Sequence, residues 1–367
     1  MEQLAAKRCY LAEWQQRRSR KQPLFVGTRA IVCRTFFHTH FGSMAADDRG
    51  GSVRKVGFTI FILSALIGFG ISTFAHDGHE HSPSVFGGIE ISQIITAVAL
   101  ILTFLVYVTG LLRLWRVAGG GHGVSFRAAG SFLAGWVSLV VATIGPFHRM
   151  SETLFSAHMT QHEMLMLISA PLIVVGRPQI ASVWFLPASA RYRISTIITE
   201  RTFKTAWRFI SGGFVAFLIH AAALWVWHIP VLFDATLTNE AVHAVQHASF
   251  FGTALLFWWA IVNSAADWKS SFIAVLFLFL TSLHSGILGA FLTFTREVWY
   301  SAYLNSTASW GVTPLEDQQL GGLIMWVPAG IVYIGAGLII FARMLAQTES
   351  RALEIDRRVL TGGVVNP

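Results

Sequence analysis

Eight stretches of mostly apolar residues, each long enough to cross a bilayer, divide this chain of 367 residues. They cover 56–75, 91–112, 128–146, 155–176, 207–227, 241–263, 272–295 and 320–344. The hydrocarbon core of a membrane is spanned by about 20 helical residues. None of the stretches alternates with the period of two that a membrane strand requires, which excludes a β-barrel. The chain therefore reads as an all-α integral membrane protein, a polytopic helical bundle of seven core transmembrane helices preceded by an N-terminal signal or anchor span. Pro171, Gly286, Gly289 and Pro328 fall inside spans, where membrane helices tolerate them.

Charge is sparse and clumped between the spans. The 27 Lys and Arg against 19 Asp and Glu give +8, but they are not interleaved along a groove or helix face as a nucleic-acid surface requires. Partners are expected in and around the lipid bilayer, with no nucleic acid. With the segment before the first span placed in the cytoplasm, 25 of the 27 cations fall on the inner side, leaving Arg149 and Arg296 outside. That asymmetry fixes the orientation by the positive-inside rule and puts the C-terminus in the cytoplasm. Residues 1–55 form a basic cytoplasmic segment in which Met44 is an alternative start. Residues 56–75 end in Thr73-Phe74-Ala75 and read either as a cleaved signal peptide or as a retained first helix. A His-rich periplasmic segment (76–90), the transmembrane domain (91–345) and a cytoplasmic tail (346–367) follow. Cys9 and Cys33 both precede the first span, so neither a disulfide framework nor a thiolate metal site is expected in the bundle.

The histidines are distributed with the opposite bias. Of 14, His38, His40 and His122 lie in inner segments, and the other eleven fall in outer loops or within spans. His158 and His162 are i and i+4 on the fourth span, and His243 and His247 repeat that spacing on the sixth, so each pair projects from one helical face. His228 closes the fifth span, while His220 and His284 lie about 12 Å and 15 Å below the outer helix ends at 1.5 Å per residue. Such a set can converge as four or more nitrogen donors, suited to copper, zinc, iron or nickel. Met159 shares the fourth span and offers a thioether, which leans toward Cu(I). His76, His79 and His81 form a short tract that captures metal loosely.

Each feature also has a plainer reading. A membrane histidine serves as a hydrogen-bond partner between helices, and a methionine as packing material. Glu163 reads either as an acceptor that fixes a histidine tautomer or as an interfacial charge. Asn239-Glu240 reads equally as the cap and acidic first turn of the sixth span. His162-Glu163-Met164-Leu165-Met166 is not H-E-x-x-H, because the fifth position is Met. Phosphate-binding glycine loops and a C-x-x-C-H haem motif are absent, so no nucleotide and no covalent haem are expected. No nucleophile–base pair stands out. The chemistry on offer is ligation rather than catalysis, and the chain does not read as an enzyme.

At this point the residues resemble a family. His158-Met159-Thr160-Gln161-His162 running on to Ala170-Pro171-Leu172 and Gly176-Arg177-Pro178, then Trp227-His228-Ile229-Pro230 with Phe233, Asn239, His243 and His247, are similar to the CtaG-like cytochrome c oxidase assembly factors. His284-Ser285-Gly286-Ile287-Leu288-Gly289-Ala290 and Pro314-Leu315-Glu316-Asp317-Gln318-Gln319-Leu320-Gly321-Gly322 continue the likeness. It covers residues 90–345 and differs from the single-span, cysteine-bearing copper chaperone that shares the name. The resemblance implies a multi-pass protein of the bacterial inner membrane needed to assemble haem-copper oxidase, with copper the implied cofactor. His158, His162, His228, His243, His247 and His284 are the family's histidine positions, and Glu316 and Asp317 match its acidic motif. Cytochrome c oxidase subunit I and other oxidase assembly factors are the implied partners. The resulting expectation is a chaperone whose periplasm-facing histidine cluster supports copper insertion. The alternatives are a b-type haem electron-transfer protein with axial histidines such as His162 and His247, a copper transporter, and a scaffold without metal.

Overall fold

The computed structural model describes residues 91–264 and 268–360, and every regular element among them is helical. The first apolar stretch, both cysteines and the His76, His79 and His81 tract lie outside the described residues. Helix α1 (Ile91–Ala118) and helix α2 (Phe126–Thr143) are joined by a loop in which Gly119, Gly121 and Gly123 take φ of 92°, 78° and 76°. That left-handed backbone is open to glycine without cost. Ser125 then caps α2 by accepting from the N–H of Ala128 at 3.2 Å. Helix α3 (Pro146–Thr153) begins on a proline, whose missing N–H costs nothing in a first turn.

The fourth apolar stretch is built in pieces: helix α4 (Phe155–Glu163), a π-helical turn (Met164–Ser169) and helix α5 (Ala170–Val175). Pro171 has no N–H to bond back into the helix, and the widened turn immediately precedes it. Trp258 donates its indole N–H to the Met166 carbonyl in this turn, at 2.9 Å. Arg177, left-handed at φ 53°, then starts helix α6 (Pro178–Phe185) at 61° to the preceding segment.

Helices α7 (Ala188–Thr199), α8 (Arg201–Ile210) and α9 (Gly213–Trp227) follow. The fifth stretch, expected as one span over 207–227, is divided here. Trp207–Ile210 belongs to α8, which meets α9 at 57° across Ser211-Gly212. The reason is amphipathicity: Arg201, Lys204 and Arg208 share one face of α8, while Phe203 and Trp207 pack on the opposite one. Helices α10 (Pro230–Thr238), α11 (Glu240–Asn263), α12 (Trp268–Phe294) and α13 (Pro314–Leu360) complete the described chain. Among the described residues five helices are long and apolar enough to cross a membrane, and counting each of the two bent pairs as one span brings the number to seven. This is the all-helical polytopic bundle expected from the sequence.

Packing is centred on α11, where Phe250, Phe251, Ala254 and Leu255 are fully buried. Outward positions such as Leu102, Phe291, Ile331 and Leu338 are exposed apolar side chains, as a lipid-facing surface requires. Helices α12 and α13 approach closely through glycine: a Cβ on Gly322 would stand 2.7 Å from both the Gly289 carbonyl oxygen and the Thr293 nitrogen. Small residues at such seams let membrane helices gain dispersion contact.

The acidic motif at the head of α13 divides its labour residue by residue. Thr313 and Glu316 form a capping box, with the Glu316 N–H donating to Thr313 Oγ1 at 3.2 Å and Glu316 Oε2 accepting from the Thr313 N–H at 2.9 Å. Asp317, 2% exposed, reaches across to α4, where its carboxylate accepts from the backbone N–H of Phe155 (2.6 Å) and Ser156 (3.1 Å). Gln318 and Gln319 fix the preceding loop by donating to the carbonyls of Glu297 and Thr295. Gly321 leaves room for the Phe155 ring, which a Cβ there would overlap.

Two outcomes follow for thermal unfolding of the purified protein in detergent. Gly322→Ala forces a methyl against backbone that cannot yield and lowers stability by about 1–3 kcal/mol, whereas Gly330→Ala, with open space at its Cβ, does not. Asp317→Ala strands two buried N–H groups and costs about 1–3 kcal/mol; an unchanged midpoint would show that α4 does not depend on this contact.

Candidate metal centre

Helical period alone turns His158 and His162 to one face of α4, and His243 and His247 to one face of α11. The fold then sets these faces against each other. Ring centroids of His158 and His243 are 5.1 Å apart, those of His162 and His247 5.1 Å, and those of His158 and His247 5.9 Å. Within the pairs the spacings are 4.4 Å and 4.3 Å. His158, His162 and His247 are buried and His243 is partly buried. Asn239 caps α11, as its place before Glu240 suggests, its side chain accepting from the Val242 N–H at 3.2 Å.

One nitrogen from each of His158, His243 and His247 lies within 4.8 Å of the other two. Ligands bonded to one ion at about 2.0 Å stand some 3–4 Å apart, so small side-chain adjustments close this triad around a cation. His243 Nε2 and His247 Nε2 are already 3.0 Å apart, a separation at which one N–H donates to the other's lone pair. With that proton moved to Nδ1 of its own ring, both Nε2 atoms would be free to hold a cation. His162 sits against His158 and His247, with both ring nitrogens buried and neither hydrogen-bonded. Such orphaned polar atoms cost free energy in an apolar interior, and a fourth donor position accounts for them. The donor set, imidazole throughout, is one that copper, zinc, iron or nickel would fit.

A second layer orients the rings. Tyr303, in the turn Ser301–Tyr303 between α12 and α13, donates to the Ser151 carbonyl at 2.9 Å and lies 3.1 Å from His158 Nδ1. Burial, with the nearby Asp317 carboxylate, holds the Tyr303 phenol well above its ordinary range, so it stays a neutral hydroxyl. The His158 ring is thus held at both nitrogens, Nδ1 against the Tyr303 hydroxyl and Nε2 against Gln246 Oε1 at 3.2 Å. Phe155, Phe233 and Tyr300 pack beside this layer, with Tyr300 4.7 Å from Phe155 and 4.3 Å from Phe233 between ring centroids.

The remaining expected residues are placed as follows. His228 adjoins the cluster through Phe233 and Phe250; its Nδ1 donates to the Leu224 carbonyl at 2.7 Å, and its Nε2 is buried without a partner. His220 and His284 are not brought to the triad, and they flank Phe257 and Phe217 instead. Met159 is buried toward Gly321 of α13. Glu163 is buried, with Oε2 unpartnered. The sequence reading passed over Gln246 and Tyr303 as site residues, and also His148, whose ring stacks 5.5 Å from His243 while its Nδ1 takes a 3.2 Å contact from Gln161 Nε2. Of these, only His148 carried a signal in the sequence, as another histidine of the same side.

The family model for the cytochrome c oxidase caa3 assembly factor (Caa3_CtaG) matches residues 105–347. An uncharacterized protein of Mycobacterium leprae is 23% identical over 257 residues, covering 68% of this chain and 38% of that protein. Uncharacterized proteins of Mycobacterium bovis and Mycobacterium tuberculosis are each 24% identical over 207 residues, 53% of this chain and 31% of theirs. The chain thus spans about a third of the length of the curated relatives it matches. No solved structure matches it. The matched residues take in the whole histidine cluster, its capping carboxylate and the glycine seam, and the chain belongs to the cytochrome c oxidase caa3 assembly factor family.

Proposed function

We propose that the chain supports assembly of the oxidase by holding copper at the His158, His243 and His247 triad, with His162 and His228 adjoining, and by passing it to cytochrome c oxidase subunit I. The observation that carries this reading is the buried group of three imidazole nitrogens beside a fourth histidine whose nitrogens have no other partner. The role is that of a chaperone rather than an enzyme. Copper is cargo: it arrives through ligand exchange at the partly buried His243, is shared with the buried histidines, and leaves by the same exchange when a partner docks. Other oxidase assembly factors are the natural source of that cargo.

The site is assigned to the periplasmic end of a multi-pass protein of the bacterial inner membrane. The support is electrostatic: 25 of 27 cations lie on the loops and termini of the other side. His228 and the amphipathic α8 stand at opposite ends of α9, so the basic helix falls at the cytoplasmic end.

Copper analysis of the detergent-purified protein tests the site. His158→Ala/His162→Ala retains less copper than the parent by about one ion per chain; equal copper in both samples would point to a scaffold instead. Topology is tested separately by a green fluorescent protein fused after Pro367, which fluoresces if the C-terminus is cytoplasmic and stays dark if the orientation is reversed.

A further inference from the structure

A second, separate set of bare nitrogens lies deeper in the bundle. His220 is the middle residue of α9, eight positions before His228 and so about 12 Å further along the axis. It is 1% exposed. Its Nδ1 is 3.0 Å from Thr253 Oγ1 on α11, and that hydroxyl donates to the Phe250 carbonyl at 3.3 Å. The Thr253 lone pair therefore accepts from His220 Nδ1–H, which fixes the tautomer and leaves Nε2 as a lone pair. That Nε2 is buried and has no partner.

His284, on α12, has both ring nitrogens buried and unpartnered. Its ring lies edge-on to Phe217 at 5.6 Å. Phe217 precedes His220 by three residues and so shares its face of α9. His284 therefore stands beside the face of α9 that carries His220. Aromatic rings border both histidines: Phe257 is stacked on His220 at 5.4 Å, and Phe217 lies against His284. The three unpartnered nitrogens of these two side chains are costly in an apolar interior, and histidines inside a membrane are most often functional.

We infer that His220 and His284 form a second copper position, a two-coordinate site that takes Cu(I) between two neutral imidazoles. The charge balance selects the ion. A divalent cation here would carry two uncompensated charges into a site without an anionic ligand, whereas Cu(I) carries one and, as a closed-shell d10 ion, is satisfied by two nitrogen donors. The inference rests on the reading of the chain as a copper carrier, and it adds a place. The second ion sits about 12 Å deeper than the level of His228, on a helix whose Leu283, Ile287 and Phe291 face outward. At that depth the receiving partner lies within the bilayer, alongside α12.

The test is copper stoichiometry after anaerobic loading with Cu(I) and desalting, with X-ray absorption to count nitrogen neighbours. The parent binds two ions per chain, and His220→Leu/His284→Leu binds one. A variant with His158, His243 and His247 all changed to Ala keeps one, bound by two nitrogens. Size-exclusion profiles check folding, and the milder His284→Gln decides the count if the double variant aggregates. Two ions retained in folded His220→Leu/His284→Leu or His284→Gln overturn the deep site. A parent that binds one ion separates the two readings: loss of that ion only in the deep variant removes the triad, and its loss only in the triad variant removes the deep site. A parent that binds none removes both.

Discussion

The contact on which the histidine cluster most depends is made by no histidine. Asp317 at the head of α13 takes the first two free N–H groups of α4, and α4 is the helix that carries His158 and His162. A helix beginning at depth in a bundle has donors that water cannot reach, and here the acceptor comes from 161 residues away in the chain. Because Glu316 and Thr313 cap α13 itself, that acceptor is held in turn. The motif is a small lattice of end groups: one carboxylate for its own helix, the next for a neighbour, two amides for the loop behind.

Much of this was legible in the sequence, for reasons that also mark the limit of legibility. Apolar stretches of membrane length and the cation asymmetry follow from the bilayer as solvent, so the helical architecture could be read directly. The i,i+4 histidine pairs were legible because 3.6 residues per turn fixes which side chains share a face. The same period says nothing about the rotation of one helix against another. That is why the sequence leaves open whether His284 and His220 join the others in one site, whereas the fold sets them against Phe217 and Phe257 instead. It is also why Tyr303 and Gln246 stayed invisible as partners of His158. The break at Ser211-Gly212 is hidden in the sequence for a different reason: Trp207, Phe209 and Ile210 are apolar enough to extend a span, and only the positions of Arg201, Lys204 and Arg208 betray a separate amphipathic helix.

Polarity in this chain is thus spent at three kinds of place. Cations at loop ends record how the chain was inserted. Carboxylates and amides at helix ends hold the bundle's geometry. Imidazoles within the bundle, several of them with a nitrogen left bare, are what neither insertion nor packing explains, and they are where the chemistry collects. The glycine seam between α12 and α13 serves the second of these, since it brings the Asp317 end of α13 into a fixed relation with the rest.

The π turn at Met164–Ser169 has a consequence for how this span tolerates change. A π turn is an α-helix carrying one residue too many, and Trp258 satisfies a carbonyl of the widened turn. The widened turn takes up that residue locally, so the α-helical segments above and below it keep the alignment of an unbroken helix. A one-residue deletion inside the turn is therefore absorbed there, whereas the same deletion within α4, between the turn and His158, swings the His158 side chain by about 100°, away from His243 and His247. In this span the place of a length change matters more than its size.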